Sequence, residues 1–372
     1  MNKLAVSANT LWLYAVLVHI AGSIVVNGVV MLPFGSILFM TVLWISMFIL
    51  YDKKRKYVIP FVAGWFLSIY VIYQVPASYE GSFLLNGMIL FLIWYVCRLR
   101  EVKPTEFCHV KKIPIRQWGF ILLITIGLIV IAGYINGLSM LVFYNGTTSS
   151  LQEVGKYFPE SVIVFALVPA ISEEFLFRGC IYQEVAGTNT KQFAVFLSAV
   201  LFALLHMNFN QMSYAFIMGL FFGWIICMTD NLSISILIHA LFNCFSVFSF
   251  AFQNNALMKL IMNLHVGAYY IFNPILRDNN GKIIGEAVVE GAILLLCMLI
   301  FVGALLYFLK KDNEKRMPGK QIRVKTGFGK PQIEEYGQKD ESILWKADRE
   351  FWTGCIGCII FAILYELFMM SS

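Results

Sequence analysis

The sequence predicts an all-α protein, a polytopic transmembrane helical bundle of about eleven spans with an intramembrane polar pocket. Three observations predict it. Of 372 residues, 59% are hydrophobic and only 13% are charged, with a mean hydropathy of +0.74. A soluble domain carries about 25% charged residues, so this chain has too little charge to coat a globule of its size. Its apolar residues run continuously over helix-length stretches, whereas a transmembrane β-barrel would alternate apolar and polar residues. Finally, the ionisable residues inside the runs converge in one region, 160–250. This composition excludes a disordered chain, a coiled coil and an ordinary soluble enzyme.

Crossing the hydrocarbon takes about 20 apolar residues. The runs at 10–30, 33–51, 58–75, 83–98, 118–141, 159–180, 192–209, 211–228, 231–252, 285–309 and 352–370 meet or approach that length. The first is long and is followed almost at once by another, which does not fit a cleaved signal peptide. Basic loops separate the later runs. Lys53, Lys54, Arg55 and Lys56 follow the second; Arg98, Arg100, Lys103, Lys111, Lys112 and Arg116 follow the fourth. Residues 310–350, after the tenth, hold eleven Lys/Arg and eight Asp/Glu. All three loops fall on one side of an eleven-span chain, so the positive-inside rule predicts a cytoplasmic N-terminus and an outside C-terminus, in the cell membrane. The net charge of +6 is thus read as topology, and nucleic acid is not an expected partner.

Most buried ionisable residues have ordinary explanations. His19 stands alone in the first run and reads as a packed histidine. Glu286 and Glu290 open the tenth run, at the positive end of a helix dipole. Glu366 reaches the interface; His109 and His265 fall in polar or interfacial segments. The eight cysteines mostly sit in apolar runs and read as packing residues. Cys355-x-x-Cys358 lacks the second pair that a zinc site would need.

Residues 160–250 differ. Intramembrane ionisable groups are functional candidates by default, and here three constellations fall on neighbouring runs. In Ser172-Glu173-Glu174-Phe175-Leu176-Phe177-Arg178-Gly179, Glu174 and Arg178 are four apart and share a helix face in the favourable order for an ion pair. Glu173 points about 100° away and is left as a carboxyl suited to take a proton from water. In Phe202-x-x-x-His206 an aromatic ring one turn away walls the imidazole from lipid. In His239-x-x-x-Asn243 an imidazole and an amide donor share a face. Glu, two His and Asn can build a water-activating pocket with oxyanion donors. Two His and one Glu can equally hold a divalent metal with one open position. Pro169 can kink its helix and open room for water. With these boundaries Glu173 and His206 both fall late in antiparallel spans, at different depths; a longer or kinked sixth helix would bring them level.

The stretch Val168-Pro169-Ala170-Ile171-Ser172-Glu173-Glu174-Phe175-Leu176-Phe177-Arg178-Gly179 resembles the hallmark motif of the CPBP intramembrane proteases, which group type II CAAX prenyl endopeptidases with bacteriocin-processing and immunity proteins. Phe202-x-x-x-His206 and His239-x-x-x-Asn243 resemble its second and third motifs. The resemblance covers about a quarter of the chain, roughly 160–250. It implies that Glu173 activates water with His206, that His239 and Asn243 stabilise the oxyanion, and that Glu174, Arg178 and Phe202 support the pocket. It implies either a glutamate-dependent or a metal-dependent endopeptidase. A metal version would use Glu173, His206 and His239 on a divalent ion such as zinc.

The expected organisation is an N-terminal bundle over 1–142, a CPBP-like catalytic core over 157–252, a connecting segment and helix over 253–309, a charged cytosolic loop over 310–350 and a last helix over 351–372. The expected partners are the bilayer, a membrane-associated peptide or protein substrate, and a cytosolic partner for the 310–350 loop. Two alternatives remain at this stage: a non-catalytic membrane immunity or scaffold protein, and a proton-coupled transporter.

Overall fold

The computed structural model describes residues 7–32, 34–51, 58–74, 77–143, 154–252, 283–316 and 345–371. Helices occupy every one of the eleven apolar runs. They are α1 (Ala8–Val30), α2 (Gly35–Tyr51), α3 (Val58–Gln74), α4 (Ala77–Leu99), the short α5 (Pro104–Phe107), α6 (Trp118–Ser139), α7 (158–188), α8 (Lys191–Leu205), α9 (Phe209–Thr229), α10 (Leu232–Ala251), α11 (Gly285–Arg316) and α12 (Arg349–Ser371). Seven of the described helices are long and apolar enough to cross a membrane. The chain is an all-α integral membrane protein. Lys53–Lys56, the whole of the 253–282 connection with His265, and most of the 310–350 loop lie outside the described residues.

One end of the bundle is tied by polar contacts, and it gathers the segments that the charge pattern sets on one side. The Ala8 N–H donates to Glu184 at 2.6 Å, and Arg100 pairs with the same carboxylate at 2.7 Å. Asn9 donates to the Lys346 carbonyl and Thr10 to Glu350. Trp345 N–H donates to Asn189 at 2.9 Å, and Asn313 bonds the Met228 carbonyl at the end of α9. So the start of α1, the 99–117 segment, the α7–α8 turn and both flanks of the 310–350 loop share one end.

At that end Asp230 closes α9 with a left-handed backbone (φ 50°), a conformation that Asp and Asn tolerate. Its carboxylate accepts from His109 and Lys111. Burial would raise its pKa, but these two partners outweigh burial and hold it below the usual carboxylate range. The stabilisation is therefore complete above the ordinary Asp value of about 3.9 and is lost as pH falls through the lower folded value. Asp230→Asn keeps the backbone conformation and is expected to cost on the order of 1 kcal/mol at pH 7. The gap between its melting curve and wild type should begin to narrow as pH falls below about 4 and close below the lowered folded value; a gap of constant size down to acid unfolding would refute the assignment.

In lipid no hydrophobic drive holds helices together, so association depends on close packing and buried polar bonds. α8 and α9 form an antiparallel pair through the small face Gly219-x-x-x-Gly223. A Cβ at Gly219 would sit 2.9 Å from the Ala199 Cα, and one at Gly223 would sit 2.9 Å from Val195 Cγ1. Ala199 presents backbone there, which cannot rotate away. Gly219→Ala is expected to force the pair apart and destabilise by about 1–3 kcal/mol, read as a lower melting temperature in lipid; an unchanged melt would mean that the helices part freely.

α7 is not a regular helix. π-helical segments at Val162–Leu167 and Phe175–Ile181 flank the α-helical turn Val168–Glu174. Pro169 offers no N–H to the turn before it, and the chain meets this by widening that turn. Single π turns of this kind recur at functional sites.

Candidate active site

The length of α7 resolves the depth of the site. The sequence places its end at Cys180, because Gln183 and Glu184 interrupt the apolar run. The helix continues instead to Thr188 and turns at Asn189–Thr190 into α8. Glu173 and His206 then lie equally far along the chain from that turn, which removes the mismatch that the shorter sixth span implied. α8 has 15 residues, about 22 Å, and stops at His206. The stop is made by Met207, a left-handed non-glycine residue (φ 49°), and by Asn208, whose side chain accepts from the Gln211 N–H at 2.9 Å to start α9.

Glu174 and Arg178 are fully buried and paired at 2.9 Å, as their four-residue spacing predicts. The pair belongs to a larger network. The Ser235 hydroxyl donates to the second Glu174 oxygen at 2.6 Å, and His239 Nδ1 approaches the first at 3.1 Å. The other Arg178 arm donates to the Gly219 carbonyl at 3.0 Å. The guanidinium lies 4.5 Å from the Phe202 ring centroid and 5.3 Å from that of Phe222. A buried charge is tolerated only when it is so surrounded.

An ionised carboxylate can only accept, so the Glu174 contact puts a proton on His239 Nδ1. His239 Nε2 then lies 3.7 Å from Glu173. The ring is stacked on Phe222 at 4.8 Å and meets the edge of Phe202 at 5.9 Å, which fixes its plane. Glu173, 24% exposed in its side chain, is the accessible carboxylate of the two. His206 packs edge-on against Phe202 at 4.9 Å and donates Nδ1–H to the Phe202 carbonyl at 2.8 Å. That bond leaves Nε2 as an acceptor. Phe202 is therefore both the expected wall beside His206 and the ring beneath Arg178. Asn243 lies half-buried one turn beyond His239.

The structure brings Glu173, Glu174, Arg178, Phe202 and His239 together. It does not place His206 in ion-pair contact with Glu173; His239 holds that position. Among the described residues no group of three or more His, Cys, Asp or Glu side chains is arranged to hold a metal ion. The expected three-ligand set Glu173, His206 and His239 is thus not assembled as a metal centre, and a metalloprotease gains no support. Of the eight cysteines, read as packing residues, Cys97, Cys108, Cys180, Cys355 and Cys358 are buried, Cys227 and Cys244 are half-buried and Cys297 is exposed.

Sequence reasoning missed three polar groups. Ser235 precedes His239 by one turn, so its helix spacing could have disclosed it. Asn86 on α4 accepts from the Ser172 hydroxyl of the motif, a contact with no sequence signature. His19 on α1 comes near His206, although it is the lone ionisable residue of its run.

For this membrane-embedded bundle the comparisons support one class, a membrane protease. Residues 157–245 match the family model described as type II CAAX prenyl endopeptidase Rce1-like. The membrane-embedded CAAX protease MroQ of Staphylococcus aureus (strain USA300) is 26% identical over 259 residues, which cover 63% of this chain and all of that protein. Motifs and matches together support a CPBP family protein. No solved structure matches the chain.

Proposed function

We propose that the protein is an intramembrane endopeptidase that hydrolyses a peptide bond of a membrane-associated protein or peptide. The observation that carries this reading is the Glu174 network, which holds His239 Nε2 3.7 Å from the accessible Glu173. Glu173, assisted by His206, takes a proton from a water whose oxygen attacks the scissile carbonyl carbon. His239 and Asn243 line the side on which the oxyanion forms, and the Asn243 amide donates to it. Glu173 then gives its proton to the departing amide nitrogen as the C–N bond breaks. Arg178, Ser235 and Phe202 position the rest.

The end that carries Arg100, Lys111, Lys112 and Lys346 faces the cytoplasm in this reading. The 310–350 loop is then cytosolic and available to a cytosolic partner. A CAAX-type tail, a bacteriocin leader and a signalling peptide are each compatible as substrates, because the pocket residues address the peptide bond.

The test is cleavage of a library of membrane peptides by the purified protein in lipid, comparing wild type with Glu173→Ala and His206→Ala. Cleavage by wild type alone supports the reading. Equal cleavage by all three would assign the activity to a contaminant. Failure to cut, together with equal rescue of a host phenotype by wild type and Glu173→Ala, would give the pocket a non-catalytic role.

A further inference from the structure

His19 belongs to α1, outside the residues that match the family model. α1 runs antiparallel to α7. The Ala8 N–H bonds Glu184 at 2.6 Å, and the Trp12 ring packs 6.4 Å from Phe177. His19 lies as many residues along α1 from Ala8 as Glu173 lies along α7 from Glu184. It also stands two turns beyond Trp12 on the same face of α1. Allowing for the one residue that the π segment Phe175–Ile181 absorbs, His19 comes near the level of Glu173 on the side of α1 turned to α7. Its neighbours agree: Val16 and Ile20 pack on the apolar cluster that contains Phe177 and Phe202. Its imidazole is within electrostatic reach of His206.

Both histidines are tied to their own helices in the same way. His19 Nδ1 lies 3.4 Å from the Ala15 carbonyl, and His206 Nδ1 lies 2.8 Å from the Phe202 carbonyl. A carbonyl accepts, so each Nδ1 carries the proton and each Nε2 is left as an acceptor. Glu173 and His206 are engaged by the attacking water. A peptide drawn into a dry bundle brings backbone N–H groups that must find acceptors.

We propose that His19 is a substrate-positioning residue: its Nε2 accepts a hydrogen bond from a backbone N–H of the peptide held beside His206. The N-terminal bundle thereby supplies part of the site. This inference rests on the endopeptidase reading.

The experiment uses the full chain in lipid and a peptide that wild type cleaves. His19→Ala should raise KM about five- to tenfold, the loss of one hydrogen bond, with kcat changed by less than about threefold. His19→Gln, whose Oε1 reaches where Nε2 stood, should restore KM close to wild type. An unchanged KM in His19→Ala, or failure of Gln to restore it, overturns the proposal. A second readout is independent of turnover. With ¹⁵N-labelled histidine, His19→Gln should move the ring resonances of His206, and Leu17→Ala, an exposed neighbour on α1, should not. Unmoved His206 resonances overturn the shared pocket. Moved resonances in a protein that cleaves nothing, and whose host phenotype wild type and Glu173→Ala rescue equally, overturn the endopeptidase reading, and the substrate role of His19 with it.

Discussion

Glu173→Gln is expected to lose about 10³-fold or more in kcat while its melting temperature stays at the wild-type value. Glu173 is the accessible carboxylate, and its described polar contact is one 3.7 Å approach to His239. Replacing it removes a proton acceptor and little packing. Glu174→Gln, an equally small change on the adjacent residue, should behave in the opposite order. It leaves Arg178 buried without its counter-charge and weakens the hold on His239 Nδ1. Stability should fall first, and activity should fall because His239 is no longer oriented. Cleavage rates and melting curves for both variants decide the assignment. Equal loss of stability in the two would mean that Glu173 is a structural carboxylate.

Arg178→Met is expected to cost about 3–5 kcal/mol, the usual effect of removing one partner from a buried ion pair. The guanidinium is fully buried and serves Glu174, the Gly219 carbonyl and three aromatic faces at once. Much of that cost is the charge stranded on Glu174. The double variant Glu174→Met/Arg178→Met removes both charges and should regain most of the stability. It should not regain cleavage, because His239 then has no carboxylate to set its tautomer. Denaturation and turnover of the single and double variants separate the two effects. A double variant no more stable than Arg178→Met would show that packing, not charge, dominates at this position.

Helix positions were legible because continuous apolar runs leave little choice of secondary structure in lipid. The Glu174–Arg178 pair was legible because four-residue spacing fixes which side chains meet. Contacts between distant helices were not. Asn86 and His19 come from α4 and α1, and no periodicity in one helix says which face of another it will touch. The end of α7 was misjudged for a different reason. Gln183 and Glu184 depress hydropathy, but Glu184 extends the helix into a polar contact with Ala8 and Arg100, and hydropathy has no means to distinguish a capped continuation from a stop. The pairing of Glu173 with His239 rather than with His206 depends on Ser235 and Glu174 fixing the imidazole, a tertiary fact.

The widened turn at Val162–Leu167 decides which neighbours one rod can serve. Phe158 packs against Phe248 of α10 and Phe252 just past its end, and Glu174 bonds Ser235 and His239 nearer the start of that same helix. The two residues are sixteen positions apart, which on a regular α-helix turns them about 160° from each other. They would face opposite ways. A π turn absorbs roughly one residue without advancing the rotation, and the angle drops to about 60°. The irregularity thus works as a phase shift. It lets α7 present both its apolar start and its charged middle to a single partner, and a chain trimmed to perfect helical order at that turn would have to give up one of the two seams.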